Sequence, residues 1–223
     1  MVNLLEKNEQ TGRSMVEMLG VLAIIGVLSV GGIAGYSKAM TKFKITKTFD
    51  QVSMMVANIR TLYSGQRNYN GLATDVAMDM GVVPAEMQGP DDGELVNAFQ
   101  GSVEVYAVEY NGKADSAFAV SYGNMGREAC VQIITSDWGS GASSGFIGLD
   151  VQGGTDGIAG MAAPAITAND SAQGTGKWSN QFLPISPSTA ALSCQCANDQ
   201  CAITWFYICL LYTSPSPRDG ATS

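Results

Sequence analysis

Two groups of side chains in this sequence combine reactive types with telling positions. The first is a lone acid, Glu17, set near the start of an apolar run from Met15 to Ala34. That run is twenty residues long, about 30 Å as a helix, which matches the thickness of a hydrocarbon core. A carboxylate there costs about 3 kcal/mol on insertion scales, so Glu17 needs a cationic partner or a purpose. The second group is Cys130, Cys194, Cys196 and Cys201, a C-x-C-x4-C cluster with a distant fourth thiol. Such a set can ligate zinc or form disulfides. The sequence contains no His, which removes Ser-His-Asp and Cys-His catalysis and most zinc chemistry. Disulfides are the expectation if this region is exported, with no metal and no cofactor. Residues 153–160, GGTDGIAG, have the Gly and Asp of some calcium loops but too few acids for a hard-cation site, and read as a surface loop. No P-loop, nucleophile elbow or pair of catalytic carboxylates is present, so no enzyme is expected.

Composition bounds the remainder. With 46% apolar and 14% charged residues, the chain suits a folded protein carrying one membrane segment. Charge is divided unevenly: residues 68–208 hold three basic residues, Lys113, Arg127 and Lys177, against fifteen acids, a balance of −12. Phosphate contacts require a basic surface, so nucleic-acid binding is not expected.

The elements that must position these groups follow from periodicity. A helix is expected over about 14–64, apolar all round at first. Beyond Tyr36 it becomes one-sided, with Ile45, Phe49, Val52, Val56, Ile59 and Tyr63 forming a stripe at spacings of three and four. Gly65 and QRNYNG then stop it. Gly31, Gly32 and Gly35 suit either close helix packing or a local soft point. Residues 66–100 read as a loop with one short helix. Strands are expected at 102–110 and 116–123, joined by a loop containing Asn111–Gly112. A helix follows at 126–136 with Cys130 on it, then a strand at 146–151 inside a Gly/Ser/Ala-rich stretch. A short helix at 186–194 starts with Pro187 in its first turn, and 202–208 is the closing strand.

Gly12, then four residues, then Glu17 and a long Leu/Ile/Val/Ala/Gly run resembles the N-terminus of type IV pilins and the related pseudopilins. The order of head elements, with ALSC…AITW near the end, is similar to the type IVb pilin head. This resemblance implies an α+β pilin fold, in which a long N-terminal helix packs on an antiparallel sheet with a disulfide-tied C-terminal region. It implies that a prepilin peptidase cuts after Gly12, leaving Arg13 as the first mature residue and as the site of N-methylation, although the family usually has Phe or Met there. Glu17 becomes the fifth mature residue, whose partner in the filament is the free amino terminus of a neighbouring subunit. The family's bridge ties the final strand region to the head. On that basis Cys130 is paired with Cys194 and Cys196 with Cys201, a choice the sequence alone leaves open.

The implied organisation is a cleaved leader at 1–12, a transmembrane and assembly helix at 13–36, and its amphipathic half at 37–64. A globular head at 65–208 and a tail at 209–223 follow. Residues 209–219, CLLYTSPSPRD, resemble a translated sequencing-library adapter, which places the end of the native chain near Tyr207 or Ile208 and sets Cys209 aside. Lys38, Lys42, Lys44 and Lys47 follow the span while Lys7 and Arg13 precede it, a count that alone would place the head in the cytoplasm. The resemblance and the cysteines place it outside. The expected function is a structural subunit of a type IV pilus-like filament, a homo-oligomer assembled from the inner membrane with a peptidase and an assembly platform as partners. A type II secretion pseudopilin and an adhesive minor or tip pilin are the alternatives.

Overall fold

The computed structural model describes residues 15–91, 93–139, 144–158 and 169–209. The leader, with Gly12 and Arg13, and residues 210–223 lie outside the described residues. The chain divides into two compact units, 1–42 and 43–223. In the first, the described residues are all helical.

Helix α1 (Met15–Leu62) is 48 residues long. Its second half explains itself by its buried side: Ile45, Val52, Val56, Ile59 and Tyr63 of the expected stripe are buried, and Phe49 packs at the margin. Thr48, Gln51 and Met55 are buried as well. Thr48 tolerates this because its hydroxyl donates to the Lys44 carbonyl at 3.0 Å.

The head sheet receives that face. Strands β1 (Val103–Tyr110), β2 (Lys113–Met125), β3 (Phe146–Gly153), β4 (Asp170–Ala172), β5 (Thr175–Ser179) and β6 (Cys201–Ile208) form one sheet in the order β1-β2-β6-β3-β5-β4. Every pair is antiparallel. The last strand in sequence is thus interior, between β2 and β3, and Cys201 through Tyr207 are all buried. Core side chains alternate along it: Ile203, Trp205 and Tyr207 join the cluster that contains Val52, Met55 and Ile59. Phe206 belongs to a smaller cluster with Val108, Ala117, Ala119 and Ile147. Aromatic rings link the layers, with Tyr69 to Phe118 at 4.7 Å and Trp138 to Trp205 at 4.9 Å between centroids.

Three expectations need correction. The β1–β2 link is a tight two-residue turn, with Asn111 at φ 52° and Gly112 at φ 72°, and Tyr110 pairs with Lys113. Strand β2 therefore starts at Lys113 and not 116. The polar residues Lys113 to Asp115 disguise its exposed start, while Asn-Gly supplies the left-handed pair such a turn demands. Second, β4 and β5 lie in the later part of the Gly-rich stretch, where no strand beyond 146–151 was expected. Their turn is set by Gly174 at φ 74°, and Trp178 is fully buried. Third, Cys209, set aside with the tail, is among the described residues. It is buried, its N–H donates to the Ser116 carbonyl at 3.2 Å, and it is the free cysteine.

Helices α2 (Thr74–Asp79), α3 (Arg127–Ile134) and α4 (Pro187–Ser193) complete the head. Ser186 caps α4 by accepting from the Thr189 N–H at 3.2 Å, with Pro187 in the first turn. Cys130 of α3 bonds to Cys194 at the end of α4 across 64 residues, and Cys196 bonds to Cys201 at the start of β6 across five. On the chain-entropy account the long loop contributes about 4 kcal/mol and the short one about 2 kcal/mol. Replacing Cys130 and Cys194 together with Ala should therefore lower head stability roughly twice as much as replacing Cys196 and Cys201, measured by denaturant unfolding in detergent. Equal losses would show that strain or denatured-state structure outweighs loop length.

One buried acid makes stability depend on pH. Asp150 on β3 is 1% exposed and pairs with Lys177 of β5 at 3.5 Å, while its Oδ1 has no hydrogen-bond partner. Burial raises its pKa to about 6, against the lowering effect of Lys177. The folded state thus holds a proton that the unfolded state has released, so stability is full below about pH 4 and falls as pH rises through about 6. The expected loss is about 3 kcal/mol. Asp150→Asn should flatten this slope in thermal melts between pH 4 and 7.5. An unchanged slope would place the titration on another group.

Candidate assembly site

Glu17 stands in the first turn of α1, where the helix dipole favours an anion. It is exposed and makes no ion pair among the described residues. Around and after it, every side chain from Met15 to Lys38 is exposed, including Leu19, Leu22, Ile25, Leu28 and Ile33. An 18-residue window of this helix has a mean hydropathy of 2.2 and is 0% buried, long and apolar enough to cross a membrane. A continuous apolar surface of this length is not stable in water and requires lipid or protein around it.

The glycines of this segment serve nothing inside the protomer. A Cβ at Gly20, Gly26, Gly31, Gly32 or Gly35 would meet no atom within 4 Å. The helix nevertheless runs through all five without interruption. Small residues at these positions leave room for another helix to approach closely.

At the head, both disulfides bracket the entry to β6, and the four cysteines are buried. The 153–158 part of the Gly-rich loop turns its backbone donors inward. Gly157 N–H donates to Ser102 Oγ at 2.8 Å and Ile158 N–H to Ser121 Oγ at 2.9 Å. Residues 159–160 lie outside the described residues. Among the described residues no three acid, Cys or His side chains gather as metal ligands.

A groove on one flank of α1 has no counterpart in the periodicity of the chain. Phe49, Ser53, Val56, Ala57 and Arg60 of the helix, with Asp137, Trp138, Ser144 and Tyr207, line a cavity of about 300 Å³. Phe49 stacks on Trp138 at 4.6 Å, and the Arg60 guanidinium lies over the Tyr207 ring at 5.0 Å. Arg60 Nη2 donates to the Ser144 carbonyl, its buried Nε has no hydrogen-bond partner, and it forms no ion pair among the described residues. Read along the sequence, Arg60 is one more polar residue on the exposed side of a helix. Its surroundings come from β6 and the segment after α3, far away in the chain.

The chain is similar to several known proteins. The major structural subunit of the bundle-forming pilus of Escherichia coli O127:H6 is 22% identical over 203 residues, covering 91% of this chain and 97% of the relative. The toxin coregulated pilin of Vibrio cholerae is 27% identical over 135 residues, 59% of each protein. Among solved structures, TcpA, a type IV pilin from Vibrio cholerae El Tor biotype, aligns with a TM-score of 0.47 at 17% identity, covering 73% of this chain and 98% of that one. The type IV b pilin from Salmonella typhi gives 0.46 at 15%, with 75% and 99% coverage. A family model described as PilS N terminal matches residues 42–205, nearly the whole of the head, and the chain belongs to this family of type IV pilins.

Proposed function

We propose that the protein is a structural subunit of a type IV pilus-like extracellular filament, built by helical packing of many copies of itself. The observation that supports this most is the apolar half of α1, whose side chains are all exposed from Met15 to Lys38, while the described residues of 43–209 build a core of their own. A subunit held first in the inner membrane and then in a filament has both coverings that such a helix needs. The relatives named as pilus subunits support a pilin over a secretion pseudopilin. A structural and not a catalytic role, a head facing outward and no nucleic-acid partner fit the His-free, acidic composition.

In this reading the leader 1–12 is removed by a prepilin peptidase after Gly12. Arg13 becomes the amino terminus, N-methylated there, and an assembly platform draws the helix from the membrane. Glu17 then meets the amino terminus of a neighbouring copy. Each charge alone is costly in an apolar surround, and together they compensate each other. An acid matched only by a terminus that cleavage creates also keeps uncut protein out of the filament.

Coexpressed with a peptidase and assembly machinery, the mature chain should begin at Arg13 by N-terminal sequencing, and another start would remove the assignment. Glu17→Ala should leave membrane insertion and disulfide formation intact while its share of sheared filaments falls at least tenfold. Incorporation equal to wild type would show that the charge pair does not drive assembly.

A further inference from the structure

Four lysines follow the apolar span, and the structure divides them into two pairs. Lys47 reaches Glu86 at 4.0 Å and Lys44 lies over the Phe99 ring at 5.5 Å, so both turn to the head. Lys38 and Lys42 are exposed, one helical turn apart on the same side of α1. Between Glu17 and Asp50 the sequence holds these four lysines and no acid, so the helix itself supplies this stretch with positive charge alone.

The height of the exposed pair is set by the helix. Ala34 closes the apolar run, and α1 continues through Lys42 without a break. At about 1.5 Å per residue, Lys38 stands about 6 Å beyond Ala34 and Lys42 about 12 Å. The headgroup layer outside a hydrocarbon core is about 5–8 Å deep. Side chains of a helix lean toward its N-terminus, here the side of the span, so the Lys42 stem reaches back toward that layer. Tyr36, 67% exposed, lies between the apolar run and Lys38, the level at which rings with a polar tip sit at a membrane surface.

We propose that Lys38 and Lys42 bind the phosphates of anionic lipid headgroups, with Tyr36 at the same boundary, and so seat the subunit at one depth in the membrane. This rests on the membrane-held stage of the filament reading and not on filament formation. Two features favour lipid over a neighbouring acidic head as the occupant. The pair begins where the hydrocarbon-matching run ends, so a membrane that covers the run brings its phosphates to Lys38 without any further docking. Lysine is also a point charge on a flexible stem, which suits mobile phosphates and demands no fixed geometry. The contact gives a use to a lysine count that by charge asymmetry alone argues for the opposite topology.

The test uses the full chain, purified without assembly machinery and equilibrated in mixed micelles holding equal phosphatidylglycerol and phosphatidylcholine. Lipid retained through gel filtration is counted by mass spectrometry. A lysine at an anionic surface favours binding about fivefold, so wild type should retain phosphatidylglycerol over phosphatidylcholine at least tenfold at low salt. That excess should shrink severalfold at about 0.5 M salt. Lys38→Gln combined with Lys42→Gln should lower it at least fivefold, while Lys113→Gln on the head keeps it within twofold. Glutamine preserves helix propensity and both sites are exposed, so disulfide-dependent gel mobility should report an intact head in every variant. A wild-type excess below twofold, or a double variant within twofold of wild type, would overturn the proposal. An unchanged excess with a filament yield at least tenfold lower in cells carrying the assembly machinery would overturn it too, and would assign the lysines to a neighbouring subunit. Absence of filaments from wild type counts against the filament reading and leaves the lipid measurement standing.

Discussion

The structure turns on one constraint: a single helix must satisfy two solvents. From Met15 to Ala34 its sequence is apolar all round, broken by Glu17, and its side chains are all exposed. From Ile45 onward the apolar residues gather into one stripe that the sheet buries. Hydrophobic burial is non-directional and scales with area, so each half goes where its own pattern sends it: the striped half to a sheet, the uniform half to lipid or to its own kind. Because the protomer supplies the first covering and cannot supply the second, assembly completes what folding leaves open. In the proposed filament Glu17 would add selectivity, since a charge buried there accepts only a partner that neutralises it.

The head is organised so that its end closes it. β6 is the last strand in sequence yet lies between β2 and β3, so the sheet is not continuous until it inserts. Two disulfides hold its approach, one through α3 and α4 and one within the turn directly before Cys201. A strand that arrives late over long sequence separation has a high entropic cost, and a covalent tie near its entry reduces the number of unfolded arrangements it must be selected from. The buried Asp150–Lys177 pair between β3 and β5 works in the opposite direction near neutral pH, a local cost that the surrounding core absorbs.

Much of this was legible in the sequence where a strong period or a special turn residue was present. The stripe from Ile45 to Tyr63, the Asn111–Gly112 turn, Pro187 and the closing run at 202–208 each carry their own physical signal, and the elements lie there. The short strand around Trp178 did not, because Gly174 and Gly176 break any alternation and its pairing partner Leu149 is distant in the chain. Thr48 and Gln51 lie outside the expected apolar stripe and are buried, the first with its hydroxyl bonded to its own helix backbone. Cys209 read as tail and packs against the Ser116 backbone, a contact that only the β2–β6 register creates. The assembly helix and Glu17 were visible because an acid in an apolar run is anomalous without any tertiary context. Arg60 was invisible for the converse reason: its meaning comes from Trp138, Ser144 and Tyr207, which converge only on folding.

In the proposed filament the apolar half of α1 ends up covered by copies of itself. Helical reconstruction of isolated filaments by cryo-electron microscopy tests this most directly. Residues 15–38 of each subunit should lie at the filament axis, packed against the same residues of neighbouring subunits, with the acidic heads outside. Filaments whose axis is formed by the heads, or in which residues 15–38 are exposed at the surface, would contradict it.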